Sequence, residues 1–135
     1  MSRFVLDTAV TMSWCFNDEA TELSKTLLAQ LANFTDTAIV PALWLYEVAN
    51  VAELAVRKGR ITEQKAREFL ASLTDLPIEI ENPTQAGVFV AVRALATNRN
   101  LTAYDASYLE LAIRHNLPLA TFDSFFSESG ASSGH

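Results

Sequence analysis

The feature that most constrains this chain is a rhythm. Short apolar runs, each closed by a polar residue or a proline, alternate with longer stretches whose apolar residues recur at helical spacing. Runs at 3–6, 38–40, 76–81 and 117–122 are predicted strands, the first ended by Asp7, the second by Pro41 and the third by Asn82-Pro83. Between them the spacing predicts a helical stretch through Trp14 and a helix carrying Leu23, Leu27, Leu28 and Leu31, with Asp18 as its cap. A long helix over 42–57 is stopped at Gly59, another restarts at Thr62, and two more cover 85–97 and 103–115. Strands alternating with helices imply an α/β layered fold with a mainly parallel sheet. The 135 residues contain no internal repeat and no linker, so one domain is expected over 1–126. The Ser/Gly-rich stretch 127–135 cannot bury a core and is expected to be a loose tail.

Charge narrows the function. A net charge of −6 argues against a broad phosphate-binding surface. Five of the ten basic residues nevertheless cluster: Arg57, Lys58, Arg60, Lys65 and Arg67. They form either a solvated corner between helices or a local phosphate-binding edge. The single cysteine, Cys15, has no CxxC partner and reads as a small buried hydrophobe, as suits a reducing compartment. No apolar run approaches the ~20 residues of a membrane span. Asp7 and Thr8 interrupt the first apolar stretch too early for a signal peptide. The expectation is a soluble cytoplasmic protein.

Chemistry points to carboxylates. In an open parallel sheet, ligands bind beyond the carboxyl ends of the strands. Asp7 and Asp123 each follow a predicted strand there, although a strand-ending Asp also serves as a turn or cap residue. Glu47 lies on the long helix among Leu43, Asn50, Val51 and Leu54, and that helix is apolar enough to be expected buried on most sides. A buried carboxylate must be neutral, paired or ligated. Asp105 shares a face with Leu101, Tyr108, Leu109 and Ala112, and Thr102-Ala-Tyr-Asp105 also has the form of a capping box. Were these four acids to converge, two of them about 4 Å apart would repel by roughly 4 kcal/mol at an effective dielectric near 20. Cations would have to hold them. Oxygen-only ligation selects Mg²⁺ or Mn²⁺, and metal-dependent phosphodiester hydrolysis is the natural chemistry of such a set.

The segments Phe-Val-Leu-Asp7, Glu47-Val-Ala-Asn50, Leu101-Thr-Ala-Tyr-Asp105-Ala and Leu117-Pro-Leu-Ala-Thr-Phe-Asp123 occur in this order over roughly residues 3–124. In this order and spacing the chain resembles the PIN-domain family, in particular its VapC-type toxins of bacterial toxin–antitoxin pairs. The resemblance implies an α/β/α sandwich, Mg²⁺- or Mn²⁺-dependent cleavage of RNA, and a homodimer inhibited by a small antitoxin. It makes Asp7, Glu47, Asp105 and Asp123 the catalytic acids. Asp7 and Asp105 would be the principal metal ligands, with Glu47 and Asp123 completing the set and Thr8 and Asn50 as accompanying polar residues. After Asp123 the chain departs from the family pattern, running Ser-Phe-Phe-Ser-Glu-Ser-Gly where a basic or polar stretch and a helix are usual.

Other chemistries fit less well. Asp7-Thr-Ala lacks the second Asp that an aspartyl-nucleophile phosphatase needs two residues on, and no sugar-binding aromatic platform supports a glycosidase pair. The reading of another class is a metal-binding, PIN-like interaction module without turnover.

Overall fold

A computed structural model describes residues 2–122 of the chain. Asp123, Phe125, Phe126 and the 127–135 stretch lie outside the described residues. Four strands, Ser2–Leu6 (β1), Asp36–Pro41 (β2), Ile78–Glu81 (β3) and Leu119–Ala120 (β4), form one sheet in the order β3-β2-β1-β4. Every neighbouring pair is parallel, with Val5 aligned to Ile39 on one side and to Leu119 on the other. The connections lay β2 and then β3 to one side of β1, and return β4 to the other. The topological switch point therefore lies between β1 and β4, where ligand crevices form in open parallel sheets.

Successive strand residues face opposite sides of a sheet. Val5 and Leu6 are both fully buried, as are Ala38 and Val40 with Ile39 between them, so both sheet faces are covered. The covering helices are Thr8–Ser13 (α1), Glu22–Ala32 (α2), Leu43–Arg57 (α3), Glu63–Leu73 (α4), Arg93–Arg99 (α5) and Ala103–His115 (α6). A π-helical turn, Gly87–Val92, leads into α5, and a 3-10 turn occupies Asn17–Glu19.

Helix ends follow local chemistry. At the end of α3, Arg60 N–H donates to the Ala55 carbonyl at 2.8 Å and Gly59 N–H to that of Val56 at 3.0 Å, the paired bonds of a Schellman stop. Gly59 stands at φ +75°, where a side chain would be strained. Asn100 and Asn116 adopt the same left-handed conformation after α5 and α6.

Several expectations are corrected. Asp18 does not cap α2. Thr21 does, accepting from Ser24 N–H while the Ser24 hydroxyl accepts from Thr21 N–H. Asp18 and Glu19 instead grip Arg60, whose guanidinium also lies 3.8 Å over the Phe16 ring. With Arg57 on Glu53 and Arg67 near Glu63, three of the five clustered cations are ion-paired within the chain, which favours the solvated corner. The helix α3 is not buried on most sides. It buries only the stripe Trp44, Val48, Ala52 and Ala55, and exposes Leu45, Tyr46 and Leu54. The last strand is shorter than expected, two residues rather than 117–122, and among the described residues it pairs with β1. Cys15 is buried as expected, and burial pushes its thiol up, away from nucleophilic chemistry. No helix among the described residues is long and apolar enough to cross a membrane.

Candidate active site

The switch point is built around Asp7. Its backbone N–H donates to the Ala120 carbonyl of β4 at 3.2 Å, carrying the strand ladder one residue past β1. The chain then turns into α1, and Asp7 becomes its N-cap, with the carboxylate accepting from Val10 N–H at 2.9 Å. The backbone of Asp7 is pinned from below. Buried Thr11 donates its hydroxyl to the Asp7 carbonyl at 2.8 Å, and Thr11 Oγ1 in turn accepts from the Trp44 indole of α3 at 2.9 Å. The capping role and a place in the crevice thus coincide in one residue.

Burial pushes the Asp7 carboxyl above its ordinary value, against hydrogen bonds from the Thr121 side chain and Val10 that pull it down. The negative charges of Asp105 and Glu47 push it further up. Asp7 therefore feels two of the other acids expected in the site. Asp123 lies outside the described residues.

Glu47 reaches the site from α3, where it is half-buried. Its Oε1 accepts the Tyr108 hydroxyl at 2.5 Å and the Thr8 hydroxyl at 2.9 Å, and the two hydroxyl oxygens are 2.9 Å apart. Each hydroxyl has one proton, and both can point at the same carboxylate oxygen. Burial and the adjoining Glu47 push the Tyr108 phenol far up, so it keeps its proton and remains a donor. The polar partners of Glu47 come from α1 and α6.

Asp105 sits in the first turn of α6, where Thr102 caps the helix by accepting from Asp105 N–H at 3.0 Å. It is exposed at the crevice mouth and not on the buried face, which holds Ala106, Tyr108, Leu109 and Ala112. The N-terminal end of a helix favours the anionic form of a carboxylate. Thr8 joins the site as expected. Asn50 lies further along α3, exposed beside Glu47. Tyr108 and Thr121 are the polar residues that sequence reasoning missed. Tyr108 reads as part of an apolar helix face, and Thr121 carries only the weak signal of ending a strand beside Asp123.

Among the described residues, no three Asp, Glu, His or Cys side chains meet as a metal-holding group. The donor set still fits a hard divalent cation. All of its donors are oxygens, they repel one another, and Mg²⁺ is commonly held by one or two carboxylates while keeping several waters. In that mode Asp7, at the carboxyl end of β1, and Asp105, in α6, would be the two carboxylates. The arrangement brings carboxylates and hydroxyl donors together at the open end of a parallel sheet.

Comparison with known proteins agrees with this architecture. No curated protein sequence matches the chain. Among solved structures, PAE2754 from Pyrobaculum aerophilum is similar with a TM-score of 0.63 at 20% identity, over 92% of this chain and 82% of that one. VapBC2 from Rickettsia felis, bound to a DNA fragment from their promoter, is similar with a TM-score of 0.64 at 16% identity, over 95% and 92%. FitAcB from Neisseria gonorrhoeae is similar with a TM-score of 0.61 at 21% identity, over 96% and 94%. At these identities the likeness is one of fold. The PIN domain family model matches residues 4–130, nearly the whole sequence. The chain belongs to the PIN domain family.

Proposed function

We propose that this chain is a Mg²⁺- or Mn²⁺-dependent endoribonuclease, the toxin of a toxin–antitoxin pair, acting in the cytoplasm as a homodimer and restrained by a small antitoxin. In this reading residues 1–126 are the nuclease domain. Asp7 and Asp105 are the principal metal ligands, and Glu47 and Asp123 complete the catalytic set. One observation carries the reading: Asp7 stands at the switch point with its carboxyl pushed up by burial and by the charges of Asp105 and Glu47. Such a cluster is unfavourable without a cation. The likeness to VapBC2 and FitAcB supports the toxin–antitoxin half of the reading.

Asp7 and Asp105 would hold the cation, which would supply Lewis-acid activation of the phosphodiester and of water. The residues of the chain do the positioning. Val10 N–H fixes one oxygen of Asp7, and the Thr121 side chain helps to orient the carboxylate. Tyr108 and Thr8 hold one oxygen of Glu47 and so set its direction. These fixed donors hold the acids in one orientation before the phosphate arrives.

The test is cleavage of a single-stranded RNA by the purified chain. Internal cuts are expected with Mg²⁺ or Mn²⁺, with none in EDTA and recovery when Mn²⁺ is restored. RNA left intact under every metal condition overturns the nuclease reading, and metal binding without cleavage assigns the site to a non-catalytic module.

A further inference from the structure

Beside the acids lies a second feature that the chemistry above does not use. Tyr46 of α3 and Tyr104 of α6 are among the most exposed large side chains of the described residues, at 77% and 63%. They belong to different helices, yet both line one cleft of about 580 Å³ that also contains Glu47. Each is the immediate sequence neighbour of a site acid, Tyr46 of Glu47 and Tyr104 of Asp105. The cleft meets the site at Glu47, which lines it and also accepts from Thr8 and Tyr108, and its volume falls within the roughly 300–1,000 Å³ typical of small-molecule sites.

Its chemistry selects the occupant. Leu43 and Ala49 supply apolar wall, and Asn50 offers both a donor and an acceptor. Glu53 at the rim is an acceptor already bonded to Arg57. Among the described residues lining the cleft there is no Lys or Arg, so nothing in it matches a phosphate. An uncharged, flat, hydrogen-bonding group suits it, and two tyrosine rings offer faces for stacking.

We infer that Tyr46 and Tyr104 form a base-binding subsite that takes one unpaired nucleobase flanking the scissile phosphate. This rests on the nuclease reading above. Stacking on aromatic rings tolerates any base, while the Asn50 amide reads a base edge, a combination typical of single-strand recognition. A base held in a duplex cannot enter.

The experiment measures binding apart from cleavage. A short fluorescein-labelled single-stranded RNA of mixed sequence is titrated with the full chain in Ca²⁺, and cleavage is assayed separately in Mn²⁺. Tyr46→Ala and Tyr104→Ala are each expected to weaken binding about 5- to 100-fold, the range for losing one stacked base. Tyr46→Phe and Tyr104→Phe should bind like the native chain, and the same RNA annealed to its complement should bind far more weakly. Both tyrosines are exposed, so the alanine variants keep the core, which a circular-dichroism melt verifies. Alanine variants that bind single strands like the native chain overturn the inference and leave the rings to a protein interface. So does duplex binding equal to single-strand binding. Tyrosine-dependent binding without cleavage keeps the subsite and removes the nuclease reading. Cleavage that ignores both tyrosines does the reverse, and no binding by the native chain removes both.

Discussion

Asp7→Asn is expected to lower RNA cleavage by at least about 100-fold while leaving the fold intact. Loss of a residue that only orients a metal ligand already costs about 10- to 100-fold, and loss of the ligand's charge costs no less. Folding is spared because Asn is as good an N-cap as Asp and keeps an oxygen for Val10 N–H. The substitution also removes a strained charge. The folded-state carboxyl of Asp7 is raised above its ordinary 3.8, so the folded chain holds a proton that the unfolded chain has released. Between 3.8 and the raised value the native state binds more protons than the unfolded state. The Asp7 contribution to metal-free stability is thus highest below this window and falls as pH rises through it. Denaturation of the metal-free chain at several pH values should show this loss, and Asp7→Asn should lack it. A variant that cleaves RNA normally, or that fails to fold, contradicts the account of this residue.

The second large effect is structural. Leu109→Ala should destabilise the chain by about 3–4 kcal/mol, within the range for a buried Leu replaced without collapse of the cavity. Leu109 is fully buried one turn beyond Asp105 and beside Tyr108. Its packing seats the helix that brings both residues to the site. The loss is a sizeable part of the ~5–15 kcal/mol typical of a domain, and urea denaturation should show a lower midpoint at an unchanged slope. A loss below about 1 kcal/mol would mean that α6 is not held by this contact.

The strands and helices were legible in the sequence because their signals are local. Val5 and Leu6 stand in a continuous apolar run, and Asp7 ends it. Thr102 announces the start of α6 and Gly59 the end of α3. The position of Asp7 at the end of β1 followed from the same local logic. Burial is not local. The outer face of α3 carries Leu45, Tyr46 and Leu54, and nothing in their identities tells a surface from a core, which depends on which helix packs alongside. For the same reason Asp105 read as part of a buried face when it stands at the crevice mouth. Asp18 looked like a cap because it precedes an apolar helical pattern. The competing Thr21–Ser24 box lies closer to the helix start and leaves Asp18 to Arg60. The contact of Tyr108 with Glu47 joins residues 61 positions apart, so no spacing rule reveals it.

The central claim is that Asp7 and Asp105, with Glu47 beside them, form a divalent-cation site. Isothermal titration of Mn²⁺ into the native chain and into Asp105→Asn tests it most directly. The account predicts saturable binding by the native chain, abolished by the substitution in a protein that still melts cooperatively. Absence of binding by the native chain, or binding unchanged by Asp105→Asn, would contradict it.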